Sequence, residues 1–223
     1  MLRNLPEDVV VLVERASRRR RYSANEVIFH EGDPADCLHI VTKGHVVIVV
    51  NTPLGQQLAF KIHGPKESFG ELALLSGQPV RSASARALDA TETLALHGTD
   101  LLALRRDHPR VNDVLLRLVT EQVLRLSNQL TEFLYLPVES RVRRRLLDMC
   151  RVYDSDGERT LIPLSQDELA GLAGAARATV NRVLRQDEGA GIVALERRRV
   201  IVLDQDRLRH RAGPSMSSYR APD

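Results

Sequence analysis

The chain has 223 residues, 43% of them hydrophobic, 27% charged and 4% aromatic, an ordinary composition for one large or two small packed domains. No apolar run approaches the roughly eighteen residues of a membrane span, and acidic Glu7 and Asp8 stand where a secretory signal would be basic and then apolar, so the sequence reads as cytoplasmic with no membrane partner. The formal net charge of +3 lies entirely in residues 138–223, where every basic residue is Arg, the side chain suited to bidentate contacts with phosphate and guanine. Two cysteines, Cys37 and Cys150, are too few for a disulfide framework, a four-cysteine zinc site or a Cys-ligated iron–sulfur cluster.

A helix-like start, Pro6 to Ala16, precedes a series of short β-branched segments: Val27–Phe29, Leu38–Val41, His45–Val50 and Leu58–Ile62. Gly32-Asp33-Pro34, Lys43-Gly44 and Gly64-Pro65 separate them, which predicts an antiparallel β unit. Two more strands are predicted at Ser82–Ala87 and Glu92–Leu96, the last ending near residue 97, with Gly98-Thr99-Asp100 as an N-cap region before a helix. The Arg18–Arg21 run beside the β unit is read as a solvated charged face.

From Val111 to Leu136 the pattern is helical without interruption. Leu116, Val119, Val123, Leu126, Leu130 and Phe133 recur at alternating steps of three and four, the spacing of a coiled-coil seam. We read it as a dimer seam, packing on the helix's own domain being the alternative. Pro137 ends the helix and places a boundary at Leu136-Pro137.

Beyond it, Val138–Val152 is a helix with Val142, Leu146 and Met149 on one side and Arg141, Arg143, Arg144 and Arg145 around it, followed by a loop rich in Asp and Gly. Ser165-Gln166-Asp167-Glu168 is a capping box that opens a helix to Ala173, and Gly174 supplies a turn. A second helix from about Ala176 to Gln186 has Val180, Val183 and Leu184 inside and Arg177, Ala178, Asn181, Arg182 and Arg185 outside, a helix-turn-helix with a basic face. Ile192–Leu195 and Val200–Leu203 around the tip Glu196–Arg199 read as a wing, and the tail from Arg211 as loose. The fold class is α+β: an N-terminal antiparallel β-roll over residues 1–108, a dimerisation helix over 109–136 and a winged helix-turn-helix over 137–223.

In this order, and above all in the stretch Phe69-Gly70-Glu71-Leu72-Ala73-Leu74-Leu75 through Gln78-Pro79-Val80-Arg81-Ser82-Ala83, the chain resembles the cyclic-AMP receptor protein/FNR superfamily of bacterial transcription regulators over roughly residues 5–205. The stretch resembles the family's phosphate-binding cassette. An Arg on a strand beside exposed backbone N–H groups makes an anion site that suits a cyclic phosphodiester. The resemblance implies that Gly70 lets the backbone approach, that Glu71 accepts from a ribose 2′-hydroxyl, that Arg81 pairs with the phosphate, and that Leu72, Ser82 and Ala83 complete the cradle. The alternative for Glu71 and Arg81 is an internal ion pair. Where relatives set a Thr-Ser pair against adenine this chain has Leu126-Ser127, which removes a hydrogen bond worth about 0.5–1.5 kcal/mol. The ligand implied is cAMP, with no metal, and the alternative, which Leu126 supports, is a regulator of the same architecture that is cAMP-independent or answers another ligand; the partners implied are a second copy of the chain and a palindromic DNA operator, with RNA polymerase a further partner that the family allows.

The family motif of the recognition helix stands here as Ala176-Arg177-Ala178-Thr179-Val180-Asn181-Arg182. Arg177 and Arg182 match base-reading positions, Thr179, Ser165 and Gln166 match phosphate-contacting ones, and Ala178 replaces a Glu, so the operator is expected to differ at the base pair it faces. Asp187 replaces an apolar residue and predicts a loosened helix end. His30, His39 and His45 show no metal-ligand spacing, and no Ser/His/Asp or HExxH arrangement supports an enzyme.

Overall fold

The structure, a computed structural model, describes residues 7–52, 57–153 and 159–213. It divides into two compact units, residues 1–122 and 123–223. The first holds α1 (Glu7–Ala16), β1 (Arg18–Tyr22), β2 (Val27–Phe29), β3 (Cys37–Lys43), β4 (Val46–Asn51), β5 (Gln57–His63), β6 (Ser68–Phe69), α2 (Glu71–Ser76), β7 (Ser84–Ala87), β8 (Thr91–His97) and α3 (Gly98–Asp107). The long helix α4 (Arg110–Tyr135) begins in this unit and ends in the next.

Two four-stranded antiparallel sheets, ordered β1-β8-β3-β6 and β2-β7-β4-β5, form the roll. β3 is buried on both faces, because its alternate side chains serve two cores. Leu38 and Ile40 join Val9, Leu94, Leu101, Val111 and Leu115 on the helical side, whereas Val41 joins Val46, Phe69 and Ala85 inside the roll.

The structure adds to the sequence reading at three places here, and at Gly98 corrects it. Arg18–Arg21 is exposed, as a solvated charged face requires, and it forms most of strand β1, running from Arg18 opposite Ala95 to Tyr22 opposite Thr91. Gly98-Thr99-Asp100 already lies within α3, whose N-cap is His97 with no side-chain cap. His39 is a core histidine only 4% exposed, and His45 is bound to Asp89 at 2.7 Å.

The second unit holds the rest of α4 with α5 (Val138–Val152), β9 (Thr160–Ile162), α6 (Gln166–Ala173), α7 (Arg177–Gly189), β10 (Val193–Glu196), β11 (Arg199–Val202) and α8 (Gln205–Ala212). Its sheet is ordered β10-β11-β9, and Val142, Leu146, Leu169, Val180, Leu184, Ile192 and Leu208 are all nearly inaccessible. The loop predicted after α5 contains strand β9, and Arg211 and Ala212, read as loose tail, close helix α8; the rest of that tail from residue 214 lies outside the described residues.

The expected loosening at Asp187 is overturned. Helix α7 continues to Gly189, and Asp187, fully buried, accepts from Arg143 Nε at 2.8 Å, Arg143 Nη2 at 3.1 Å and Arg211 Nη1 at 2.8 Å. The acid that replaces an apolar residue is matched by two arginines from α5 and α8.

Candidate functional site

Between β6 and β7 the first unit forms an open cavity that gathers the cassette residues Gly70, Glu71, Leu72, Ala73, Arg81, Ser82 and Ala83. Arg81 is its deepest cation, with 3% of its surface exposed. Its Nη1 donates to the Gly70 carbonyl at 3.0 Å, its Nη2 reaches Asp36 Oδ1 and Cys37 Sγ at 3.4 and 3.5 Å, and its Cζ lies 4.3 Å from the centre of the Phe29 ring. The carboxylate that Arg81 meets, on Asp36, is therefore held at long range, and the Asp36 side chain is 63% exposed. Arg81 Nε is buried and has no hydrogen-bond partner among the described residues. A buried guanidinium with a spare donor suits an anion.

Gly70 explains how the backbone comes this close. Its φ is +80°, a conformation that side chains disfavour, and a Cβ there would stand 2.7 Å from Arg81 Nη1. The cavity is otherwise largely apolar, walled by Phe29, Ile48, Val50, Phe60 and Phe69, with Lys61, His63 and Gln122 as further polar members. Burial pushes the Cys37 thiol up to about 11, so it stays protonated beside Arg81 at neutral pH. Sequence reading did not select Lys61, His63 or Gln122, and no motif marks them. Leu126 and Ser127, chosen from the family pattern, lie on α4 beyond Gln122, both exposed and both in the second unit.

Of the seam residues, Leu116, Val123, Leu126, Leu130 and Phe133 are exposed and Val119 half-buried, whereas Val111, Val114 and Leu115 at the start of α4 are buried in the roll's helical core. The Phe133 ring also has a partner within its own unit. The Arg141 guanidinium lies 4.0 Å above it, donating to the Phe133 and Gly174 carbonyls at 3.2 Å each. Gly174, at φ +55°, ends α6, and any side chain there would collide with the same ring.

The helix-turn-helix presents the expected face. Arg177, Ala178 and Arg182 are exposed, and Thr179, Asn181, Ser165 and Gln166 half-buried. Arg177 pairs with Asp167 at 3.2 Å and Arg182 with Glu139 at 2.7 Å, and such exposed pairs hold only about 0–1 kcal/mol, so both cations are available to a stronger anion. Asn181 donates to Gln166 at 3.0 Å. Ser165 is engaged as the cap: its hydroxyl accepts from the Glu168 amide at 3.2 Å and donates to the Glu168 carboxylate at 2.8 Å. Among the described residues no group of three His, Cys, Asp or Glu side chains is assembled as a metal site, and no helix is long and apolar enough to cross a membrane.

The arrangement is that of a cyclic-nucleotide-type β-roll in a chain that also carries a winged helix-turn-helix. The cyclic nucleotide-binding domain matches residues 19–108, and the Crp-like helix-turn-helix domain matches residues 140–211. The chain is 30% identical over 194 residues to the CRP-like cAMP-activated global transcriptional regulator of Mycobacterium tuberculosis, covering 86% of each chain, and 36% identical over 178 residues to the cyclic AMP receptor protein of Thermus thermophilus, covering 80% of each. The structure of FixK2 from Bradyrhizobium japonicum, 22% identical, shares the fold with a TM-score of 0.76 over 87% of this chain and 96% of that one. The chain belongs to the cyclic-AMP receptor protein/FNR superfamily of DNA-binding transcription regulators.

Proposed function

We propose that the protein is a homodimeric, sequence-specific transcription regulator whose DNA binding is controlled by cAMP, the nucleotide for which these relatives are named. The observation that carries the reading is Arg81, buried on a cavity wall with a donor left over and a glycine holding the backbone against it. In this reading Gly70, Glu71, Leu72, Arg81, Ser82 and Ala83 hold the ribose phosphate, and Leu126 and Ser127 approach the base. Residues 1–108 are the sensor, 109–136 the dimerisation helix and 137–223 the DNA reader. Leu116, Val119, Val123, Leu126, Leu130 and Phe133 meet a second copy. Arg177 and Arg182 read bases, Ala178 and Asn181 face the groove, and Ser165, Gln166 and Thr179 fix the phosphates. Two recognition helices related by a two-fold axis then require half-sites about 34–36 Å apart.

Binding of a labelled operator, recovered by selection from a palindromic random library, tests the reading. cAMP is expected to tighten operator binding, and the operator to tighten cAMP binding by the same factor, since the coupling is reciprocal. Arg81→Gln is expected to remove the cAMP response while leaving the nucleotide-free DNA affinity in place. Equal cAMP affinities with and without operator overturn it.

A further inference from the structure

Residues 15–21 hold five arginines and no acid, within a stretch, residues 1–137, where 16 basic and 16 acidic side chains cancel. The balance hides a concentrated patch. Arg15 is exposed in the last turn of α1, and Arg18 to Arg21 are exposed along β1, which lies at the edge of its sheet with β8 on one side. On the face where Arg18 stands opposite Ala95 and Arg20 opposite Thr93, neither guanidinium meets a carboxylate among the described residues. On the other face Arg19 and Arg21 share Glu92, at 3.6 and 3.1 Å, with their own side chains 63% and 76% exposed. Ion pairs so open to water are weak and yield to a stronger anion.

Charge on an edge strand keeps it from pairing with another chain, but either sign serves that purpose, and here every charge is positive. None of the exposed residues of β1 is apolar, so the strand lacks both the aromatic or aliphatic anchors of a protein interface and the apolar face that a membrane surface takes up. What it offers is guanidinium forks, which pair with phosphate oxygens two at a time. Alternate residues of a strand lie about 6.8 Å apart, the advance of two nucleotides at about 3.4 Å each along one strand of duplex DNA, so Arg18 and Arg20 keep step with a phosphate backbone. The same chain carries the helix-turn-helix domain of a DNA-binding family, so such a backbone is at hand whenever the chain is on its site. We propose that β1 is a second, sequence-independent DNA contact, in which Arg18 and Arg20, joined by Arg19 and Arg21 as they leave Glu92, bind phosphates outside the operator core. The inference rests on the DNA-binding reading, not on the nucleotide, and extends it.

Binding of the full chain to two labelled operator fragments tests it, one of about 20 base pairs holding the two half-sites and one of about 60 centred on the same sequence, between about 50 and 200 mM salt. The parent chain is expected to bind the longer fragment more tightly. Arg18→Gln with Arg20→Gln should lose about threefold or more on the longer fragment and less than about twofold on the shorter, and its log–log salt slope on the longer fragment should flatten by about 0.9 for each phosphate contact removed. Arg18→Lys with Arg20→Lys should keep most of the affinity. Arg18→Glu with Arg20→Glu leaves the edge charged, so it carries the comparison if the Gln pair aggregates, and it should lose more on the longer fragment than the Gln pair does. Equal losses on both fragments would assign the effect to net charge and overturn the proposal. A parent chain indifferent to fragment length overturns it too, as does a Glu pair that binds the longer fragment as the parent does, which leaves the arginines as edge protection alone. A parent chain that binds neither fragment overturns the DNA-binding reading and this inference with it.

Discussion

Arg81 shapes more than the cavity, because His39 lies behind it. The His39 ring stacks on Phe69 with centroids 5.1 Å apart, and its Nδ1 and Nε2 meet Thr93 Oγ1 at 3.1 Å and Cys37 Sγ at 3.4 Å. Burial, and after it the nearby Arg81 cation, lowers its pKa from 6.5 to about 4. The folded protein therefore keeps His39 neutral where the unfolded chain takes up a proton. Between these two values the unfolded state binds more protons, so the stabilisation is fully present above about pH 6.5 and is lost as the pH falls toward 4. At about 1.36 kcal/mol per pKa unit the loss is at most about 3 kcal/mol. Urea unfolding at pH 7, 5.5 and 4.5 should show the midpoint falling across this window, with His39→Gln flattening the fall. An unchanged slope in that variant would place the acid sensitivity elsewhere. Spacing alone left His39 among ordinary histidines, since neither the ring stack nor the guanidinium behind it is adjacent in sequence.

At the scale of elements, the sequence showed what burial patterns strongly. β3, β4 and β8 were legible because their β-branched runs are buried, and α6 because Ser165 and Glu168 form a capping box that the structure reproduces on both sides. β1 was hidden, since four exposed arginines carry no alternation and the strand exists through its pairing with β8. β9 is three residues long, and α8 buries only Leu208 and Ala212, its one local signal being Asp204, whose side chain accepts from the Arg207 amide. The cassette was readable as a motif, whereas Lys61 and Gln122 join the cavity only through the course of β5 and α4. Asp187 was misread for a related reason: its partners sit 44 and 24 residues away. That cluster ties α5, α7 and α8, and Asp187→Ala would leave the mostly buried Arg143 without its carboxylate, at a cost of about 3–5 kcal/mol. Replacing the pair together, Asp187→Leu with Arg143→Met, should recover much of that loss. Chemical denaturation of both variants checks it, and equal destabilisation by the single and double changes would show that packing, rather than the stranded charge, sets the cost.

For the whole molecule the deciding surface is the outer part of α4. Its first turn is consumed by the roll, since Val111, Val114 and Leu115 are buried there. From Leu116 onward the apolar seam faces outward, with Leu116, Val123 and Leu130 each more than half exposed. Exposed apolar side chains at coiled-coil spacing are what a two-fold partner covers, and in an isologous interface each is buried twice. Covering a Leu is worth about 1.5–3 kcal/mol, so Leu130→Glu removes about 3–6 kcal/mol per dimer before the repulsion of two facing carboxylates is added. That weakens the dimer by about a hundredfold or more. Because Leu130 makes little contact within its own chain, the isolated subunit should keep its fold, as exposed substitutions usually change stability by no more than about 0.5 kcal/mol. Sedimentation at micromolar concentration should find parent dimers and Leu130→Glu monomers with the same circular dichroism, and the monomer should lose the tight operator binding that two recognition helices give together. Val111→Ala makes the contrast, lowering the melting temperature while leaving the seam intact. A Leu130→Glu chain that still sediments as a dimer would remove this face from the interface and return the seam to the alternative of packing within one chain.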